Sequence, residues 1–218
     1  MNCVYLDASR NRLAVGLSVG AEWVEAGDLE GRHDAVLLPA LTELLDRCHT
    51  NLASVDAVIC VQGPGSFTGL RIAVSAVHAL HLVTQCQVLP VDQLSLMAFV
   101  ARSQGCDAPC DVLLDARMGD VYIGRGGFIP DTPRLVDREL LAVGALTGNT
   151  WIGHLDETVF LPDRVIHRVA PTLQDLKAYG EACPQSFWMP GDQLIPLYLR
   201  QTISWTPLAD QPSKLYES

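Results

Sequence analysis

Apolar positions change their period along the chain, and each change marks an element. Cys3–Leu6, Leu13–Ser18 and Trp23–Gly27 are short apolar runs, with Asn11 and Gly20 near the gaps between them. That spacing predicts a three-stranded meander. From His33 to Cys48 the period lengthens, with Leu37, Leu41, Leu44, Leu45 and Cys48 on one stripe. A helix is expected there, kinked at Pro39. Val55–Val61 reads as a buried strand, Phe67–Thr84 as a helix, Gln87–Val91 as a strand and Asp92–Arg102 as a helix. Strands alternating with helices predict an α/β fold whose mixed sheet has parallel members. Near Ser103-Gln104-Gly105 the character changes, and a boundary is placed there, giving a first lobe 1–103 and a second lobe 104–218. In the second, Asp111–Asp115 and Asp120–Gly126 are expected to pair across the Arg117-Met118-Gly119 turn. Trp151–Gly153 reads as a strand and Leu173–Ala182 as a helix.

The most informative stretch is GPGSFTGLR at 63–71. An apolar strand enters it and a long apolar helix leaves it. Three glycines and a proline in seven residues build a turn few other sequences can adopt. Ser66 or Thr68 is placed to cap the helix. Such a turn suits two purposes: a tight strand-to-helix connection, or an anion cradle formed by free N–H groups. The helix that follows carries two apolar stripes, Ile72/Ala76/Leu80/Val83 and Leu70/Val74/Val77/His81. A helix apolar on more than one side is buried on more than one side. His78 and His81 are neighbours on it at i,i+3, read as a wet face or interface edge rather than a metal pair.

Composition narrows the chemistry. With 49% hydrophobic and 18% charged residues in 218, the chain folds around a sizeable core. The net charge of −10, without a Lys/Arg cluster, leaves few cations to neutralise phosphates. Seven scattered cysteines and a CxxxC spacing at Cys106/Cys110 indicate no zinc ribbon or redox motif. A reduced, cytoplasmic protein is expected. No signal peptide is expected, because Asp7, Arg10 and Arg12 interrupt the first apolar stretch. The apolar run Ile72–Val83 contains two histidines and is too short to span a bilayer.

GPGSFTGLRIA at 63–73 resembles the signature of the bacterial TsaB (YeaZ) family. So do LDAS at 6–9, His33 ahead of Leu37-Leu38-Pro39, LDARMGDVY at 114–122 and PLYLRQTISW at 196–205, in order and spacing. The resemblance implies an actin/Hsp70-like (ASKHA) fold of two ribonuclease-H-like lobes, the second reduced, with the C-terminal segment able to pack back on lobe one. It implies a non-catalytic scaffold that holds a TsaD-like catalytic subunit while a threonylcarbamoyl group is installed on N6 of adenosine in tRNA. The partners it implies are TsaD, a TsaE-like ATPase, a homodimer when alone, tRNA indirectly, and no membrane. No cofactor is expected on this chain by itself; ATP or ADP enters at the level of the complex. The same resemblance implies a partner interface on the first two helices, carried by Val36, Leu37, Leu41, Leu44, Leu70, Val74, Val77, His78 and His81. It also implies a nucleotide-proximal signature loop of Asp7, Ser9, Gly63, Gly65, Ser66 and Gly69.

The alternative is an ASKHA-type ATPase or a metallopeptidase-like enzyme. Asp7 stands where ASKHA enzymes keep an acid for magnesium, although its spacing reads better as a strand-end turn. Gln93 and Met97 stand where TsaD carries the histidines of an HxxxH metal motif, and neither suits iron or zinc. Asp115-Ala116-Arg117-Met118-Gly119 stands where TsaD has a glycine-rich phosphate turn, and Asp115 would repel a phosphate. Catalytic and metal-binding residues are therefore expected to be absent.

Overall fold

The computed structural model describes residues 1–106, 111–125, 135, 137–146, 150–154 and 165–200. In chain order the elements are β1 (Asn2–Asp7), β2 (Leu13–Val19), β3 (Glu22–Leu29), α1 (His33–Arg47), β4 (Ala57–Gly63), α2 (Phe67–Thr84), β5 (Gln87–Asp92) and α3 (Gln93–Ser103). There follow β6 (Asp111–Arg117), β7 (Asp120–Arg125), β8 (Asp137–Ala142), β9 (Thr150–His154), β10 (Val165–Arg168), α4 (Leu173–Ala182) and β11 (Met189–Pro190). They form a mixed α/β structure with two sheets. The first has the order β11-β5-β4-β1-β2-β3, the second β10-β9-β6-β7-β8. β1 is antiparallel to β2 and parallel to β4, and β4 is parallel to β5.

Alternation along the central strands explains the layers. Val4, Leu6, Val58, Cys60 and Val88 point to the face covered by α1 and α2. Tyr5, Ile59, Val61, Leu89 and Val91 point to the other face, covered by α3 and α4. Strands covered on both faces must be apolar at successive positions, which is why Val55–Val61 reads as an unbroken apolar run. α3 lies between the sheets: Leu94, Met97 and Ala101 share a cluster with Val112, Leu114 and Tyr122 of the second sheet. Leu113, Val121 and Ile123 face the opposite side, with Leu146. The chain then returns to the first sheet through α4, and β11 adds a two-residue edge beside β5.

Three strands were not legible, the two-residue β11 among them. β8, Asp-Arg-Glu-Leu-Leu-Ala, is a half-buried edge without period-two alternation. β10 is four residues long at the other edge. The helix expected from Asp92 starts at Gln93, because Asp92 closes β5 and caps α3 from outside. Gly126, Cys110 and residues 201–205 lie outside the described residues.

Asp92 ties the two sheets together. Its carboxylate accepts from Leu94 N–H at 2.9 Å and from Ser95 Oγ–H at 3.0 Å, and it pairs with Arg138 of β8. Ser95 Oγ in turn accepts from Leu135 N–H at 3.0 Å. Asp92 is buried while Arg138 is partly exposed, so removing the carboxylate loses a helix cap and leaves a half-buried cation. Asp92→Ala is expected to cost about 2–4 kcal/mol in urea unfolding. Asp56→Ala is the control: its carboxylate accepts from exposed Asn2 N–H, and a comparable loss there would rule out a special role for Asp92.

Candidate functional site

The site grows from the carboxyl ends of β1 and β4. Asp7 is buried and fully engaged: Ser9 N–H and Ser9 Oγ–H donate to its Oδ1 at 2.9 and 2.6 Å, and Arg10 Nε lies 3.4 Å from Oδ2. This is the strand-end turn read from the spacing. After β4 the chain turns at Gly63, φ +124, through a cis Gly63–Pro64 bond. Ser66 caps α2, its Oγ accepting from Gly69 N–H at 3.2 Å, while Ser66 N–H donates to Ser9 O at 2.6 Å. Thr68 is exposed and plays no capping part.

Glycine is required here by backbone approach. A Cβ on Gly65 would collide with Ser9 O, and one on Gly69 with Ala8 O and the His33 ring. His33, buried at the start of α1, donates from Nε2 to Asn11 O at 3.3 Å. LDAS, His33 and GPGSFTG therefore interlock. Close packing is one use of the turn: Ala8–Ser9 occupy the space beside Gly65 and Gly69, and the N–H groups of Ser66 and Gly69 are bonded within the chain.

The other two blocks arrive at the same place. Leu197 N–H donates to Gln62 O at 2.7 Å, and a Cβ on Gly63 would stand 2.7 Å from Leu197 O. The β6–β7 turn holds Arg117, Met118 and Gly119 at φ +66, +59 and +81. Arg200 clamps it, donating to Ala116 O at 3.1 Å and to Asp120 Oδ2 at 2.8 Å. Between these segments lies a cleft of about 90 Å³ lined by Gly65, Phe67, Tyr122, Leu197, Tyr198 and Arg200. The last five lie in the blocks GPGSFTGLRIA, LDARMGDVY and PLYLRQTISW, although none was named as a site residue from the sequence.

Chemistry elsewhere is muted. Gln93 and Met97 are buried, and Gln93 Oε1 lies 3.5 Å from Ser9 Oγ. Among the described residues no group of three His, Cys, Asp or Glu side chains could hold a metal. Burial pushes the Cys3 thiol up to about 12 and raises Cys60 as well, so both stay protonated and non-nucleophilic at neutral pH.

The expected interface stripe requires correction. Leu37, Leu41, Leu44, Leu70, Val74, Val77 and His81 are buried by the chain's own packing, all but Leu70 and His81 within the cluster on the α1/α2 face of the first sheet. Val36 and His78 are half-buried. The two histidines hold the returning chain: His78 Nε2 donates to Leu194 O at 2.9 Å, and His81 Nδ1 lies 2.8 Å from Cys86 O with Nε2 3.6 Å from Asp192. The outward face of α2 is instead Ile72, Ser75, Ala76, Ala79, Leu82 and Val83, with Leu38 outward on α1. Leu82 is 79% and Leu38 64% exposed. Sequence could not choose between two apolar stripes on one helix, because both satisfy the same period. α2 is also long and apolar enough, at 18 residues, to cross a bilayer by length and composition, more than the run Ile72–Val83 suggested; here its inner side packs on β4.

A family model described as TsaD, tRNA N6-adenosine threonylcarbamoyltransferase, matches residues 28–146. The chain is 31% identical over 121 residues to a tRNA threonylcarbamoyladenosine biosynthesis protein TsaB of Haemophilus influenzae, covering 55% of this chain and 51% of that one. It is 33% identical over 90 residues to the protein of that name from Escherichia coli, covering 41% and 39%. These matches span about half or less of the relatives' lengths. The structure is similar to YeaZ from Pseudomonas aeruginosa, with a TM-score of 0.74 and 26% identity over 91% of this chain and 99% of that one.

The glycine contacts predict a sharp contrast. Gly65→Ala and Gly69→Ala, each forced against backbone, are expected to cost more than about 3 kcal/mol. Gly27→Ala, with open space around it, should stay within about 0.5 kcal/mol of the parent. Thermal melting of the three variants checks this; equal melting temperatures would remove the packing role of the turn.

Proposed function

Because this chain belongs to the TsaB (YeaZ) family, we propose that it is a non-catalytic subunit supporting installation of the threonylcarbamoyl group on N6 of adenosine in tRNA, acting by binding a TsaD-type catalytic subunit. We read the two sheets as the two ribonuclease-H-like lobes of an ASKHA fold, divided near residue 103, the second reduced. The observation that carries the partner reading is the outward face of α2. Leu82 and Val83, with Leu38 of α1, are large apolar side chains that the fold leaves in water, beside small Ser75, Ala76 and Ala79 that allow close helix approach.

Three arrangements support a non-catalytic role. Asp7 is consumed by its own turn, the α2 N-terminus is covered by Ala8–Ser9, and Gln93 and Met97 occupy the metal-motif positions within the core. The reading places the protein in the cytoplasm, with a TsaE-like ATPase joining the assembled complex, ATP or ADP bound only there, and tRNA contacted chiefly through the partner. A self-contact through the same α2 face is expected when the partner is absent, since a two-fold contact uses one patch twice.

Leu82→Glu and Ala79→Glu should fold normally yet lose co-elution with the TsaD-type subunit on size exclusion, because each would place an unpaired ion in the contact. Val77→Glu, buried in the core, should instead melt the protein, as circular dichroism would register. Co-elution of both folded surface variants would put the interface elsewhere. In a reconstituted modification assay, omission of this chain should lower product. Product formed by this chain without the catalytic subunit would overturn the non-catalytic assignment.

A further inference from the structure

Arg71 is held as few surface arginines are. Its guanidinium lies 3.9 Å over the Phe67 ring, and its Nε donates to Tyr198 Oη at 3.0 Å. Phe67 and Tyr198 are themselves packed with ring centroids 5.0 Å apart. One face and one edge of the guanidinium are thus occupied, which leaves the Nη1/Nη2 edge as an immobilised fork of donors. Such a fork matches a carboxylate in bidentate fashion and has already lost much of its rotamer freedom. Arg117 and Arg200 nearby are paired with Asp115 at 3.7 Å and Asp120 at 2.8 Å. Among the described residues Arg71 has no carboxylate partner, on a protein of net charge −10.

We propose that Arg71 is the ion-pair anchor of the partner interface, taking a carboxylate of the partner subunit while Phe67 and Tyr198 form the apolar floor around it. This rests on the partner reading above and extends it from the α2 face onto the returning chain. Arg71 lies one helical turn before exposed Ser75, at i,i+4, so it stands at the N-terminal end of the outward face and the two surfaces are continuous. Phe67 is 45% and Tyr198 37% exposed, with Met118 and Ile195 also exposed. Aromatics and arginine are enriched in protein contacts. An RNA backbone is disfavoured, because a chain of net charge −10 without a Lys/Arg cluster offers few cations to neutralise successive phosphates.

The test measures Kd for the full chain and the purified TsaD-type subunit over a series of salt concentrations. Arg71→Met, at an exposed position, should keep its melting temperature, weaken binding about tenfold or more, and flatten the salt dependence. Arg71→Lys should restore salt dependence but not full affinity, since an ammonium presents no planar fork. Tyr198→Phe, which removes the acceptor for Nε, should lie between Arg71→Met and the parent. Leu82→Glu is measured alongside. If Leu82→Glu abolishes binding while Arg71→Met matches the parent in affinity and salt slope, the Arg71 anchor is wrong and the partner reading stands. If neither variant changes binding, the interface reading itself falls. Loss of tRNA retention by Arg71→Met, with partner binding intact, would make the fork a phosphate site and overturn the proposal.

Discussion

The near-contact of two backbones, Ala8–Ser9 against the first turn of α2, is the constraint on which the rest of the molecule depends. It exists only because Gly65 and Gly69 present no side chain, and it is fastened by Ser66 N–H on Ser9 O. A hydrogen bond between chain segments that distant in sequence sets the height and angle at which α2 leaves β4. Everything α2 buries or exposes follows from that angle.

One consequence is the division of the helix into two apolar sides. The side bearing Ala73, Val74 and Val77 packs with residues of β1 and β4 and completes the first core. The side ending in Leu82 and Val83 is turned to water. The histidines mark the boundary. His78 and His81 contact the backbone that returns after α4, at Leu194 O and Gly191 N–H, so this flank of the helix is covered by residues 191–194. A domain that leaves several large apolar residues together on one helix invites a second surface to cover them.

A second consequence is convergence. The returning chain passes Gly63 closely enough for Leu197 O to exclude a side chain there, and its next residues meet Phe67, Arg71 and the β6–β7 turn. Segments from the start, middle and end of the chain thus surround one small cleft. The polar groups around it serve mainly to fasten segments to each other: Asp7 holds its turn, Arg200 holds the hairpin, and Asp92 holds the second sheet to α3.

Much of this was legible in the residues alone. Period and turn chemistry located β1 to β5 and α1 to α3 to within a residue or two. Glycine spacing marked the 63–69 turn as a place where side chains are excluded, since positive φ and close approach are local backbone demands that composition reveals. The pairing of β6 with β7 followed from two strand-like runs on either side of the Arg117-Met118-Gly119 turn. The edges β8 and β10 were not legible, because the sequence of β8, Asp-Arg-Glu-Leu-Leu-Ala, does not alternate and β10 is only four residues long. Nor was the outward side of α2: two apolar stripes share one period, and only the sheet beneath decides which is core. The Phe67–Arg71–Tyr198 arrangement, joining residues 127 apart, belongs wholly to tertiary structure. Helical and strand periods are set by near neighbours, whereas a stacked guanidinium depends on where a distant segment comes to rest.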